Sequence, residues 1–273
     1  MGALEYNHIW KDEDLEGLEA RRSRLVSHIF PKHFHDTYGF GLTGSGHGLV
    51  FSRGAKHIAS CGDFIFLRPG QVHSGHPQDQ ETWEYAMLYF DPSVVEAQIG
   101  VKGTLHLGNQ TVFREKRLMP AFMRLFEVLL YPVTVAEKES AYRDFLTVWG
   151  QAASISNESS YNRREVKLKI VRDYIMAHWD GEFSVDELAG KVGLNPRYLI
   201  GSFRQAYGLP PHQYQIQVRL NKALAMLREG KDIAQVATDC GFYDQSHLTR
   251  TFKKCHGFTP GVMRPKSRIR CNL

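Results

Sequence analysis

The chain has 273 residues, of which 42% are hydrophobic and 23% charged, a balance that suits a soluble globular protein of two ordinary domains. No apolar run approaches the roughly 20 residues that span a bilayer, and Met1–Trp10 lacks the basic start and apolar stretch of a signal peptide, so no membrane partner and a cytoplasmic location are expected. The net charge of +5 is unevenly spread: residues 1–162 hold 15 Lys and Arg against 19 Asp and Glu, residues 163–273 hold 19 against 10, so only the second half is expected to meet a polyanion.

In chain order, residues 24–92 alternate short aromatic and β-branched runs with turn formers. Strands are expected over Arg24–Phe30, Tyr38–Thr43, Gly48–Ser52, Asp63–Leu67 and Thr82–Phe90. Gly44-Ser45-Gly46, Arg53-Gly54, Cys61-Gly62 and Arg68-Pro69-Gly70 punctuate them. That density of short strands points to a sandwich or barrel. Arg21, Arg22 and Arg24, near the first strand, are candidates to meet an acidic ligand, but read more readily as solvated charges.

The period then changes. Leu118, Phe122, Leu125, Phe126 and Leu129 recur at helical spacing, and Tyr142, Phe145, Leu146 and Trp149 do so again after Pro132. These two amphipathic helices can pack on the barrel, on each other or on a second copy of the chain. Residues 151–163 are small and polar and are expected to be a linker. The domains are therefore residues 1–150 and 164–273. The four cysteines, Cys61, Cys240, Cys255 and Cys271, form no C-x-x-C pair and are expected as free thiols.

From Arg164 onward the chain reads as consecutive helices. Val166, Ile170, Tyr174 and Ile175 form one stripe. Ser184-Val-Asp-Glu187 is a capping box, in which the hydroxyl and the carboxylate each take an orphan amide. Gln213–Glu229 carries Ile216, Leu220, Ala223, Leu224 and Leu227 on one face and stops at Gly230.

The strongest signal is an internal repeat. Leu188-Ala189, Val192-Gly193-Leu194, Leu199, Phe203-Arg204, Gly208-Leu209 and Pro211 form one series. Val236-Ala237, Cys240-Gly241-Phe242, Leu248, Phe252-Lys253, Gly257-Phe258 and Pro260 form the second, offset by 48 residues before the turn and 49 after it. In each copy a small Ala permits close helix crossing, Gly supplies a sharp turn and Leu-x3-Phe buries one face of the second helix, which leaves the opposite face free. That is a helix-turn-helix, whose second helix enters the DNA major groove. The linking helix, about 17 residues at roughly 1.5 Å each, adds about 25 Å. With helix-end offsets, the two recognition helices stand about one duplex turn, near 34 Å, apart.

Residues 164–268 resemble the DNA-binding domain of the AraC/XylS family of bacterial transcription regulators, the second unit from Ile233 through Gly241-Phe242-x-Asp244-Gln-Ser-His to Pro260 matching its signature closely. The resemblance implies that Arg197, Ile200 and Gly201 in the first recognition helix, and Gln245, Ser246 and Arg250 in the second, occupy base-reading positions. Ile200 and Gly201 bring no hydrogen-bonding side chain to theirs. Gln suits adenine and Arg suits guanine. His247 and Thr249 neighbour phosphates, and Arg204, Lys253 and Lys254 read as backbone contacts. Phe203 and Phe252 are core.

His33-Phe-His35-Asp36, then Gly62-Asp63 and Pro69-Gly-Gln-Val-His73, resemble the two motifs of cupin barrels and the cupin-like sensor domain of the same family. The fold implied is α+β and multidomain: a cupin-like β-barrel with two helices, then an all-α domain with two helix-turn-helix units. His33, His35 and His73 match three metal-binding imidazoles; the carboxylate ligand is missing, with Tyr38, Gly39 and Phe40 in that region. Three histidines suffice for zinc or iron with open positions, but the incomplete set favours a metal-free pocket. By cupin analogy His33, His35, Tyr38, His73, Trp83 and Tyr85 line a small-molecule site. Trp83, Tyr85, Met87 and Tyr89 share one strand face, which serves a core as readily as a binding wall. The expected partners are promoter DNA, a small-molecule effector, RNA polymerase and a second copy of the chain. The expected protein is a regulator with no cofactor and no catalytic residues; the competing expectation is a metal-dependent cupin enzyme fused to a DNA-binding domain.

Overall fold

The structure, a computed structural model, describes residues 5–78, 81–100, 104–107, 110–156 and 163–263. It divides into two compact units, Met1–Ile29 with Phe34–Ser160, and Phe30–His33 with Tyr161–Leu273.

The strands are β1 (Tyr6–Lys11), β2 (Leu18–Leu25), β3 (Phe30–His33), β4 (Tyr38–Ser52), β5 (Ala55–Ser60), β6 (Phe64–Leu67), β7 (His73–Pro77), β8 (Trp83–Phe90), β9 (Thr104–His106), β10 (Val112–Phe113) and β11 (Ser154–Ser156). The main sheet runs β1-β2-β8-β4-β6-β10, with β5 and β7 on β4 and β3 on β7. The first half of β4 pairs with β8 and β6 and its second half with β5 and β7, so one strand serves two layers. The helices of this unit are α1 (Pro92–Ile99), α2 (Leu118–Leu130) and α3 (Val135–Ala152).

The expected strand over Arg24–Phe30 is two strands. The Glu5 carboxylate accepts the backbone N–H groups of Val26, Ser27 and His28 at 2.9, 3.1 and 2.9 Å, and these amides leave the ladder. Conversely, Tyr38–Thr43 and Gly48–Ser52 are one strand. The intervening Gly-Ser-Gly forms a bulge between Thr43 and Ser45 rather than a reversal. Gly46 has φ +68 there, and a Cβ on it would stand 1.7 Å from the Thr82 carbonyl oxygen, so only glycine fits. β1, β5 and β7 were not legible, because polar and histidine-rich segments such as His73-Ser-Gly-His-Pro77 lack the apolar alternation that marks a strand.

Strand alternation gives the main sheet two different faces. Tyr38, Phe40, Phe64, Phe66, Leu88 and Phe90 point outward and pack on Phe122, Phe145 and Trp149 of α2 and α3 in one aromatic cluster. The amphipathic helices therefore bury their stripes on the sheet and on each other. The opposite face carries Glu19, Arg21, Ser23, Tyr85, Met87 and Tyr89, cross-strand partners that share a side: Glu19 with Tyr89, Arg21 with Met87, Ser23 with Tyr85. Trp83, on the same face, lies flat against Gly48, where a Cβ would stand 2.1 Å from the indole.

The segment expected as a linker, 151–163, is regular in its first part. α3 extends to Ala152, and β11 pairs with β9. Residues 157–162 lie outside the described residues, and the division between the units falls between Ser160 and Tyr161.

The second unit contains α4 (Arg163–Ala177), α5 (Val185–Val192), α6 (Pro196–Tyr207), α7 (Pro211–Arg228), α8 (Ile233–Asp239), α9 (Gln245–His256) and a 3-10 turn over Pro260–Met263. The capping box forms: Ser184 N–H donates to Glu187 Oε2 at 2.7 Å and Glu187 N–H to Ser184 Oγ at 3.1 Å. The stripe expected on α4 is displaced. Leu168, Val171 and Ile175 face the core, while Val166 and Ile170 are 44% and 48% exposed. Apolar residues lie on both sides of this helix, so periodicity alone did not select the buried one. No helix among the described residues is long and apolar enough to cross a membrane.

Candidate functional site

The two repeats fold as α5–turn–α6 and α8–turn–α9. Gly193 and Gly241 take φ +59 and +68 in the turns, the left-handed backbone that the repeat requires at both. One residue later Phe242 is buried and Leu194 half-buried, and Leu199, Phe203, Leu248 and Phe252 are fully buried. Asn195 caps α6, accepting from the Arg197 and Tyr198 N–H groups at 3.0 and 3.4 Å; Asp244 caps α9, accepting from His247 N–H at 2.6 Å. Matching these caps locates the extra residue of the second turn at Tyr243, which is 92% exposed.

With the Leu-x3-Phe face buried, the other face of each second helix is open. Arg197, Ile200, Gly201 and Arg204 are exposed on α6, and Gln245, Ser246, His247, Arg250 and Lys253 on α9, with Thr249 half-buried. His247 is partly committed inside its own turn: its Nδ1 accepts the Tyr243 N–H at 3.4 Å and its ring meets Phe242 edge-on. Arg197, Gln245 and Ser246 lie in first turns, the part of a recognition helix that reaches base edges. Arg204, Lys253 and Lys254 lie in last turns, where positive charge also complements the helix dipole.

Sequence reasoning missed Arg219 on α7. Its Nε donates to Trp179 O at 2.8 Å, its Nη2 to Gly181 O at 2.9 Å and Asp180 O at 3.3 Å, and its Nη1 to Gly241 O at 2.8 Å. Gln215, one turn earlier, donates to Trp179 O and Gly181 O. One guanidinium thus joins the end of α4, the linking helix and the turn of the second unit. A lone Arg in an amphipathic helix carries no sequence mark for that role.

Candidate ligand atoms of His33, His35 and His73 lie within 4.8 Å of one another. His33 Nδ1 meets Pro31 O at 2.7 Å and His73 Nδ1 meets Gln71 O at 2.9 Å. A carbonyl only accepts, so Nδ1 carries the proton in both and Nε2 keeps the lone pair. Burial pushes the His73 imidazole down to about 4, and the charge of Arg21 acts in the same direction. The donor set fits a three-histidine metal site in number and tautomer, while the nearby guanidinium opposes a divalent cation.

Trp83 and Tyr85 lie on the inner face as expected, 4.4 Å apart between ring centroids, and Trp83 Nε1 donates to Thr43 Oγ1 at 3.3 Å. Tyr38 does not line this face. It pairs with Phe90 in the outward set, stacks on Phe66, and its hydroxyl accepts the Leu105 N–H at 3.0 Å. Arg21 corrects the expectation in the other direction. It is 4% exposed, because Arg21 is opposite Met87 on the inner face, and its Nε donates to Asn7 Oδ1 at 2.6 Å and Ser23 Oγ at 3.1 Å. Arg22 is exposed, and Arg24 is half-buried beside Glu84 at 3.3 Å. Cys61 is exposed while Cys240 and Cys255 are buried, and burial pushes each of the latter two thiols up to about 11. Cys271 lies outside the described residues.

Residues 16–146 match the AraC-like ligand binding domain family, and residues 188–266 match a helix-turn-helix domain family. The arabinose operon regulatory protein of Escherichia coli (strain K12) is 27% identical over 238 residues, 83% of this chain and 80% of that protein. The HTH-type transcriptional activator RhaS of Klebsiella pneumoniae (strain 342) is 25% identical over 257 residues, 90% of this chain and 91% of that protein. Among solved structures, unsaturated fatty acid bound ToxT from Vibrio cholerae superposes with a TM-score of 0.59 at 14% identity, over 92% of this chain and 95% of that one, a likeness of fold. Two matched domains in this order, over a barrel-like sheet unit and a tandem helix-turn-helix unit, mean that the chain belongs to the AraC family of DNA-binding transcription regulators, with an AraC-like ligand-binding domain at its N-terminal side.

Proposed function

We propose that the protein binds promoter DNA in two successive major grooves and that a small molecule held on the inner face of the sheet unit changes its occupancy. The observation that carries the DNA half is the pair of recognition helices, each with a buried Leu-x3-Phe face and an exposed polar one. Arg197, Gln245, Ser246 and Arg250 read base edges, with Arg204, Thr249 and Lys253 on phosphates. The protein activates transcription as a homodimer in contact with RNA polymerase, in the cytoplasm, in line with the activator RhaS among its relatives. It performs no catalysis, and the three histidines act as pocket residues rather than as ligands of a resident metal.

The effector half is tested by thermal-shift screening of the full chain against metabolites, since a ligand selective for the native state raises its apparent stability. Footprinting with and without each hit follows. The reading expects a hit that changes footprint occupancy through different affinities for two states of the protein. Hits that stabilise the chain and leave every footprint unchanged would refute effector control. Elemental analysis separates the enzyme alternative: stoichiometric zinc, iron, manganese or nickel in protein from cells grown without added metal contradicts the metal-free pocket.

A further inference from the structure

We propose that the small molecule taken by the inner face carries an acidic group, a carboxylate or another oxyanion, and that this group meets Arg21. The inference rests on the reading that this face is the effector site and adds the chemical class of the effector. Arg21 is a guanidinium at 4% exposure on β2, between β1 and β8, flanked on its own strand by Glu19 and Ser23 and across the β8 side by Tyr85, Met87 and Tyr89. Such a cation is costly to bury, and it is kept only with hydrogen-bond support. Asn7 Oδ1 and Ser23 Oγ grip its Nε and hold each other at 2.8 Å, which fixes the plane of the fork. The Tyr89 hydroxyl bonds to the same group. A guanidinium fixed in place on a low-dielectric wall attracts negative charge more strongly than one in water.

The neighbours suit the rest of such a ligand. The Trp83 and Tyr85 rings lie 4.4 Å apart between centroids, tilted by 37°, and the His35 ring meets both Tyr89 and His73 at just over 5 Å, so the face around the cation is aromatic. Aromatic faces take a flat or ring-shaped skeleton, while the guanidinium orients its acid.

The test uses matched pairs, galacturonate against galactose, benzoate against benzamide and hexanoate against hexanamide, titrated into the full chain by thermal shift and calorimetry. At least one acid is expected to bind about tenfold or more tighter than its neutral partner. Arg21→Gln removes that preference, whereas Arg21→Lys, a point charge without the fork, retains part of it. A neutral member that binds as well as its acid, with galactose stabilising wild type and Arg21→Gln alike, overturns the acid inference and leaves effector binding intact. No stabilisation by any of the six at 10 mM counts against the acid inference. An acid that binds wild type and Arg21→Gln equally overturns the assignment to Arg21, and the wild-type pairs remain decisive should Arg21→Gln not fold.

Discussion

Replacing Arg219 by methionine keeps the volume and stem of the side chain but removes the donors that reach Trp179 O, Asp180 O, Gly181 O and Gly241 O. A hydrogen bond to a charged group contributes about 1.5–3 kcal/mol, and carbonyls left near the surface recover some of that from water. Three of the four contacts are at 2.9 Å or less and Arg219 is half-buried, so a net loss of about 2–3 kcal/mol is expected for Arg219→Met. Gly241 is coupled to it: a Cβ there would stand 2.8 Å from Arg219 Cζ, at φ +68. Gly241→Ala therefore displaces the guanidinium as well as straining the turn, and the two changes are expected to be non-additive by about 1 kcal/mol in a double-mutant cycle. Urea unfolding of the full chain reads the stability. The more specific readout is DNA spacing, because the clamp joins the segment before α5 to the turn of the second helix-turn-helix across α7. Wild type is expected to prefer one spacing of half-sites. Arg219→Met is expected to lose affinity for the two-half-site duplex while binding a single half-site almost as well as wild type. Unchanged spacing preference together with an unchanged urea midpoint would refute the clamp.

Arg250→Ala is expected to cost about 1–3 kcal/mol of specific binding and to relax preference at one base pair, measured by competition with single-base operator variants; equal loss on every duplex makes it a phosphate contact instead. Tyr243→Ala removes a side chain that is 92% exposed, so the melting temperature should hold while DNA affinity falls by about 1 kcal/mol; unchanged affinity in a titration removes Tyr243 from the interface. His73 titrates near 4 in the fold against about 6.5 unfolded, so the unfolded chain binds more protons between those values. Its stability contribution is therefore complete above about pH 6.5 and falls as pH drops toward 4, by on the order of 3 kcal/mol. The stability difference between wild type and His73→Gln should shrink from pH 7.5 to pH 4.5; a difference independent of pH contradicts the buried neutral imidazole.

The helix-turn-helix units were legible because a repeat states the same physical constraints twice. Gly193 and Gly241, Phe203 and Phe252 recur at matching places, and both copies have the positive φ and the full burial that their residue types require. The sheet was less legible where strands use polar residues on a buried face. Arg21 looked solvated because charged residues usually are, and only the pairing with Met87 turns it inward. Tyr38 looked like a pocket residue by its place beside the histidines, yet a single step along β4 sends it to the other face. Gly44-Ser-Gly46 looked like a turn because glycine marks bulges and turns alike. Arg219 was invisible for a different reason. Its partners are backbone carbonyls far apart in sequence, and a carbonyl carries no residue identity.

Selection of full-length protein on a random duplex library tests the account most directly. Two short conserved blocks about 10 base pairs apart on one face of the helix are expected, with enrichment maintained as salt rises. Recovery of duplexes without any shared sequence, held by affinity that collapses with salt, would contradict recognition of DNA by two groove-reading helices.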